Sequence, residues 1–395
     1  MSTVQIILLL LIGYIIFTID KKQANFPVPT VLVILGLALS FIPYFSTIEL
    51  TKEMIYHIFL PPLLFISAYQ FPPDQFKKNA GIIGVLATIG IMLTVAILGT
   101  SIFALSNLFI PLSFLGALII ASILTPTDPV SVVSVLKKSS GDESIADVVE
   151  GESLINDGTS IVIFTVLAGM LAHGKTFSAW SFIGDFLFVS IGGTLIGVLF
   201  GWLMSKAVHF THHREYQVML SIVLTYGVFN LAEHLGVSGV LATVFAGIML
   251  SFEYGKTIKE SHFKDSLNGF WSVVELSILA LIFLLIGIYA ADYLSLDNLL
   301  FALVIFITSL LVRFLIIAGT TQIFPKWRKR ISWKESILVT WSGLKGTMSV
   351  FLILSLELKS FENSDIILTL SFMAVLISLI VQSLGVYPLS KKISD

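Results

Sequence analysis

No cysteine occurs anywhere in the chain, which excludes a disulfide framework, thiolate chemistry and a cysteine-based metal site. Charge is scarce as well: Asp, Glu, Lys and Arg make up 12% of the residues and leave a formal net charge of −2. So even a balance offers no basic surface to nucleic acid. Low-complexity stretches and polar linkers are missing too. What fills the chain is apolar. Of its 395 residues 56% are hydrophobic, and the mean hydropathy of +0.96 lies far from a soluble globular balance.

Two stretches break that apolar pattern. Thr125-Pro126-Thr127-Asp128-Pro129 interrupts one hydrophobic segment, and Gly151-Glu152-Ser153-Leu154-Ile155-Asn156-Asp157-Gly158 heads the next. A charge at mid-bilayer costs at least about 2.5–3.5 kcal/mol, so these carboxylates are expected to face a polar site. Proline frees backbone carbonyls, which membrane depth tolerates only where something polar satisfies them. Together the stretches describe a cation site made from an unwound helix and acidic side chains.

By length and hydropathy the chain reads as an all-α polytopic membrane protein of about thirteen spans. They run at about 4–19, 29–45, 54–69, 80–105, 110–136, 149–172, 180–205, 215–233, 236–252, 269–291, 297–323, 335–356 and 365–388. The first lacks the basic start and small-residue cleavage site of a signal peptide and is expected to be retained. The longest polar connections fall around Lys137–Val148 and Glu253–Asn268. Eighteen Lys and Arg residues follow odd-numbered spans or end the chain, against three on the other face. The positive-inside rule then puts the N-terminus outside and the C-terminus in the cytoplasm. Span five is broken at Thr125–Pro129 and span twelve at Trp341-Ser342-Gly343-Leu344-Lys345-Gly346-Thr347. Paired interruptions seven spans apart point to inverted six-span repeats, one to six and eight to thirteen, with crossing helices at the site.

Asp157 is the first candidate. Inside a span its carboxylate is desolvated, and a proton and a sodium ion become alternative partners for it. A site that holds either, never both, exchanges them. Helix capping is the plain alternative, but apolar sequence continues from Ile161 to Leu171 and leaves no helix end to cap. Ser153 lies four residues earlier on the same helix face, and its hydroxyl suits a hard cation. Carbonyls freed near Thr127 offer further ligands. Asp128 has two open readings: it neutralises half-helix N-termini at a crossing, or it is a structural charge at the break.

Arg313, in the middle of the apolar Ser309–Ala318, demands a compensating acid, and Glu152 lies at similar depth. The pair reads as structural, with substrate binding by Arg313 as the other reading. Asn156, one turn from Glu152, braces that pair or the site. Lys345, between Gly343 and Gly346, either offsets a half-helix C-terminus or snorkels from a shallower span. Glu275 reads as a buried, hydrogen-bonded acid. His212, His213, His234 and His262 sit near span ends and read as surface residues.

These motifs resemble the first cation:proton antiporter family, which includes bacterial NhaP-type and animal sodium/proton exchangers. The resemblance rests on the Thr-Asp-Pro break, on Glu-Ser-Leu-Ile-Asn-Asp-Gly-Thr at 152–159 and on Trp341-Ser-Gly-Leu-Lys-Gly. Val237-Ser-Gly-Val-Leu-Ala242 and Phe59-Leu-Pro-Pro-Leu-Leu-Phe65 belong to it too. It implies thirteen spans, a homodimer and a moving core. By that likeness residues 1–79 are scaffold, 80–173 the first core half, 174–292 linker and scaffold, and 293–395 the second core half. It makes Asp157 the carrier of cation and proton, with Ser153 and the Thr127 carbonyl as Na⁺ ligands. Asp128 sits at the crossing, and Glu152 and Arg313 form the core ion pair. The Asn156–Asp157 pair marks electroneutral members. Two positions depart from the pattern: Ile66 stands where the family often has a carboxylate, and Lys345 where it usually has arginine, whose planar fork a lysine lacks.

The reading is a Na⁺ or Li⁺/proton antiporter, not an enzyme, of a bacterial or archaeal cell (inner) membrane. No cofactor is expected beyond the transported ions. A K⁺/H⁺ antiporter is its nearest rival, since carboxylate and hydroxyl ligands do not fix cavity size. A passive cation channel would want a polar stripe along several spans, whereas polar residues cluster here at one depth. A non-transporting membrane sensor and an ATP-driven pump are disfavoured as well.

Overall fold

The computed structural model describes residues 2–19, 27–48, 51, 53–128, 143–172, 178–208, 213–254, 261–328, 331–357 and 364–394, and among them every element is helical. In chain order these are α1 (Thr3–Ile19), α2 (Val28–Leu39), α3 (Pro43–Ser46), α4 (Met54–Gln70), α5 (Pro73–Ser106) and α6 (Phe114–Ile123). Next come α7 (Glu143–Ala172), α8 (Ala179–Val208), α9 (Arg214–His234), α10 (Gly239–Tyr254) and α11 (Ser261–Ala290). The chain continues with α12 (Leu299–Ile323), α13 (Pro325–Arg328), α14 (Trp333–Trp341), α15 (Thr347–Glu357) and α16 (Ser364–Ser394). Among the described residues six stretches are long and apolar enough to cross a membrane, and shorter apolar helices accompany them.

Local chemistry explains two of the helix starts. The Ser113 hydroxyl caps α6 by accepting from the Gly116 N–H at 3.0 Å. Ser332 and Glu335 form a reciprocal capping box that starts α14. In α4, Pro61 and Pro62 bring no N–H, and the turns before them, Met54–Phe59, are π-wound.

Three expectations change. The apolar segment at 29–45 is not one helix: α2 stops at Leu39, and α3 restarts at Pro43 after an extended Ile42, the backbone that a following proline favours. The polar connections are shorter than hydropathy suggests, because α7 already begins at Glu143 and α11 at Ser261. Glu275 is only half-buried on α11. The expected continuation of span five through Pro129 to residue 136 lies outside the described residues. One string, Gly169-Met-Leu-Ala-His-Gly174-Lys175-Thr176, spells the letters of a phosphate-binding loop. Its first glycine, however, lies inside α7, not between a strand and a helix as that loop requires.

α7 is the central helix, packed against α5, α6, α8 and α10. Of its most apolar window 72% is buried, against 22% for α8, whose Trp180, Phe188 and Leu195 point outward. Helices without a hydrophobic drive between them associate through small residues. Gly197 and Gly201 of α8 follow that rule against the backbone of α10, and Gly193 does so against Ser238 just before it. The tightest case is α2 on α11, where a Cβ at Gly36 would strike the Leu284 carbonyl and come within 3.0 Å of the Gly287 Cα. Backbone cannot step aside as a side chain can. Gly36→Val is therefore expected to cost about 1–3 kcal/mol of stability, read as a lower melting temperature in detergent. An unchanged melt would contradict this helix contact.

Candidate functional site

The two interrupted segments meet. After α6 the chain is non-helical through Thr125 to Asp128, and after α14 it is non-helical through Gly343 to Gly346 before α15 begins. They are joined backbone to backbone, the Asp128 N–H donating to the Leu344 carbonyl at 2.8 Å. Gly346 makes that approach possible, since a Cβ there would run into the Asp128 side chain. The buried Asp128 carboxylate consequently lies at the start of α15, next to the positive end of that half-helix.

α16 secures the second break. The Trp341 indole donates to the Gln382 carbonyl at 2.9 Å, and the Gln382 amide donates back to the Trp341 carbonyl at 2.8 Å. The Ser378 hydroxyl accepts from the Lys345 N–H at 3.0 Å and donates to the Gln382 side chain. Lys345 itself is 4% exposed, which leaves it no route to snorkel.

α7 supplies the remaining wall. The Ser153 hydroxyl donates to the Thr127 carbonyl, so two of the expected oxygen ligands are neighbours. Asn156 is a hub: its amide donates to the Thr127 hydroxyl at 3.1 Å and to Glu152 Oε1 at 3.2 Å, while its oxygen accepts from Ser160 at 2.8 Å. It thus braces both the crossing and the ion pair. Glu152 meets Arg313 of α12 through two bonds, 2.7 Å to Oε2 and 3.2 Å to Oε1. Gly343 leaves room for the guanidinium, which a Cβ there would strike. Asp157 lies on the same helix at partial exposure, and its buried Oδ1 has no hydrogen-bond partner among the described residues.

The residues picked from the sequence thus converge from α6, α7, α12 and the second break. Ile66 is fully buried in an apolar cluster with Phe65 and Trp271, with no acid in its place. Gln382 and Ser378 were missed. Their signal was there to read: Gln382, an amide deep in the largely apolar last span, stands four residues after Ser378.

The family profile described as "Sodium/hydrogen exchanger, transmembrane" matches residues 6–392. The chain belongs to the sodium/hydrogen exchanger family. Similar members include the Na⁺/H⁺ antiporter NhaH of Halobacillus dabanensis, 32% identical over 407 residues that cover 99% of this chain and 97% of that protein. The Na⁺/H⁺ antiporter ApNhaP of Aphanothece halophytica is 31% identical, covering 98% of this chain and 74% of that protein. Among solved structures the fold resembles the sodium proton antiporter MjNhaP1 from Methanocaldococcus jannaschii at pH 8, with a TM-score of 0.79 and 22% identity. The match covers 99% of this chain and 98% of that one. The family expected from the motifs is the family found. As an exchanger-family member the chain is a multi-pass membrane transporter and not an enzyme.

Proposed function

We propose that this exchanger carries a monovalent cation, Na⁺ or Li⁺, against protons, with the two competing for Asp157. The observation that carries the reading is a buried carboxylate oxygen with no hydrogen-bond partner among the described residues, on the helix that walls a crossing of two broken segments. Such an oxygen is costly unless a proton or a cation satisfies it. The Ser153 hydroxyl and the Thr127 carbonyl, already in contact, are the natural further ligands for a hard cation. Relatives named as Na⁺/H⁺ antiporters across almost their whole length support the choice of ion.

The same reading includes thirteen spans in two inverted repeats, a homodimer, and alternating access by motion of the core against a scaffold. It places the chain in the cell (inner) membrane with the N-terminus outside and serves pH homeostasis. Its test is purified protein in proteoliposomes with an internal pH dye, challenged in turn with Na⁺, Li⁺, K⁺ and Ca²⁺. Proton efflux driven by Na⁺ and Li⁺ is expected. A response to K⁺ alone would assign a K⁺/H⁺ antiporter, and cation flux without proton movement would assign a channel.

Exchange is expected to be electroneutral. Asn156 cannot titrate, Glu152 is held by Arg313, and Ile66 removes another proton carrier. One net charge per cycle would couple transport to voltage at about 2.3 kcal/mol per 100 mV. In K⁺-loaded proteoliposomes, clamping the voltage with valinomycin should leave the initial Na⁺-driven rate unchanged. A rate that changes steeply with the imposed potential would bring in a second titrating group, with Asp128 the first to examine.

A further inference from the structure

α5 carries a π-wound turn at Leu86–Gly90, within a helical stretch of 34 residues. Such turns concentrate at functional sites, because the widened ladder re-aims backbone groups. The Ala87 carbonyl of this turn accepts a hydrogen bond of 2.7 Å from the Thr159 hydroxyl, two residues after Asp157. Two carbonyls of Thr159's own helix lie farther away, Asn156 at 3.1 Å and Ile155 at 3.3 Å. A hydroxyl has a single proton to give, so the three acceptors compete and the bond across to α5 has the best distance. Thr159 and Ala87 are both buried, and no water-facing alternative offers itself.

The neighbouring contacts show what this bond holds. Gly158, between Asp157 and Thr159, lies under Leu241 of α10, whose side chain a Cβ there would strike. Asn156, on the other side of Asp157, is tied to the crossing through Thr127. The turn that carries Asp157 is thus gripped at Asn156 by the crossing, at Gly158 by α10 and at Thr159 by α5.

We propose that Thr159 is a positioning residue for cation exchange, its bond to the Ala87 carbonyl setting the place of Asp157 relative to the Thr127 and Ser153 oxygens. This rests on the reading of Asp157 as the cation carboxylate. Thr159 touches neither ion; it acts through the backbone of α7. A site for a hard cation depends on where its oxygens stand, so a loosened Asp157 weakens binding more than it slows the moving core.

The test compares Thr159→Val, which keeps the shape and loses the hydroxyl, with Thr159→Ser, which keeps the hydroxyl. Thr159→Val is expected to raise the Na⁺ concentration for half-maximal exchange about tenfold, with the maximal rate within about twofold of wild type. Na⁺-induced thermal stabilisation in detergent should shift to about tenfold higher Na⁺ in parallel. Thr159→Ser should stay close to wild type in both. Wild-type half-saturation in Thr159→Val, or equal loss in Val and Ser, would overturn the proposal. Thr159→Ala carries the same two outcomes if valine packs badly. Asp157→Asn runs alongside as the control for the parent reading: if it keeps wild-type flux, that reading fails whatever Thr159 does.

Discussion

Asp157→Asn is expected to abolish Na⁺-driven proton flux, down to the level of empty vesicles, while the protein stays folded. The amide has the shape of the carboxylate but neither exchanges a proton nor supplies a full charge to a cation. Stability should be unchanged or slightly higher, because a buried carboxylate oxygen without a hydrogen-bond partner among the described residues is replaced by a neutral group. Flux is read with an internal pH dye in proteoliposomes, and folding by melting temperature and size-exclusion profile in detergent. Wild-type flux from a well-folded Asp157→Asn protein would sink the assignment of the site. Loss of flux together with loss of folding would be resolved by Asp157→Glu, which keeps the titrating group and is expected to retain measurable exchange.

The second large effect concerns the Glu152–Arg313 pair. Both side chains are buried, and the two-pronged contact satisfies the carboxylate from one side while Asn156 adds a third bond to it. Removing one partner strands a charge away from water, at a cost of about 3–5 kcal/mol. Removing both strands none. Glu152→Leu and Arg313→Met are therefore each expected to lower the melting temperature more than the two changes combined. Thermal melting of the four proteins forms a double-mutant cycle, and a coupling energy near zero would contradict the pairing. The pair has a position to hold as well as a charge to neutralise. Arg313 lies against Gly343 of the second break, so the bond ties α7 to that break through α12. Loss of exchange in the double variant, with stability retained, would show that this tie matters to transport.

The glycines at the crossing follow the same logic. Gly343 and Gly346 flank Leu344 and Lys345, and each leaves room that another residue occupies: the Arg313 guanidinium in one case, the Asp128 side chain in the other. Sequence inspection finds these glycines as interruptions of an apolar segment. It does not tell what fills the space beside them, because that neighbour comes from elsewhere in the chain.

The same division runs through the whole molecule. By itself the sequence determined the class, since a chain so apolar and so poor in charge cannot stay folded in water without a membrane. It also marked the two breaks at Thr125–Pro129 and Trp341–Thr347, because proline and glycine act within a turn or two of where they stand. It determined which groups share a helix face, such as Ser153 with Asp157 and Glu152 with Asn156, since an i, i+4 spacing is a property of the helix alone. It showed that Arg313 needs an acid, because a charge in lipid-like sequence demands compensation.

Only the tertiary structure decided the particular partners. The Asp128 N–H to Leu344 carbonyl bond joins residues far apart in the chain, and so do the Trp341–Gln382 cross-tie and the Thr159–Ala87 contact. A buried polar group announces in the sequence that it must be satisfied, but many groups elsewhere in the chain are chemically able to do so. Which one does is settled by how the helices pack, down to the close approaches at Gly36 and Gly197 that let backbones touch and the one at Gly346 that seats the Asp128 side chain. Local patterns fix the need for a partner; three-dimensional packing chooses it.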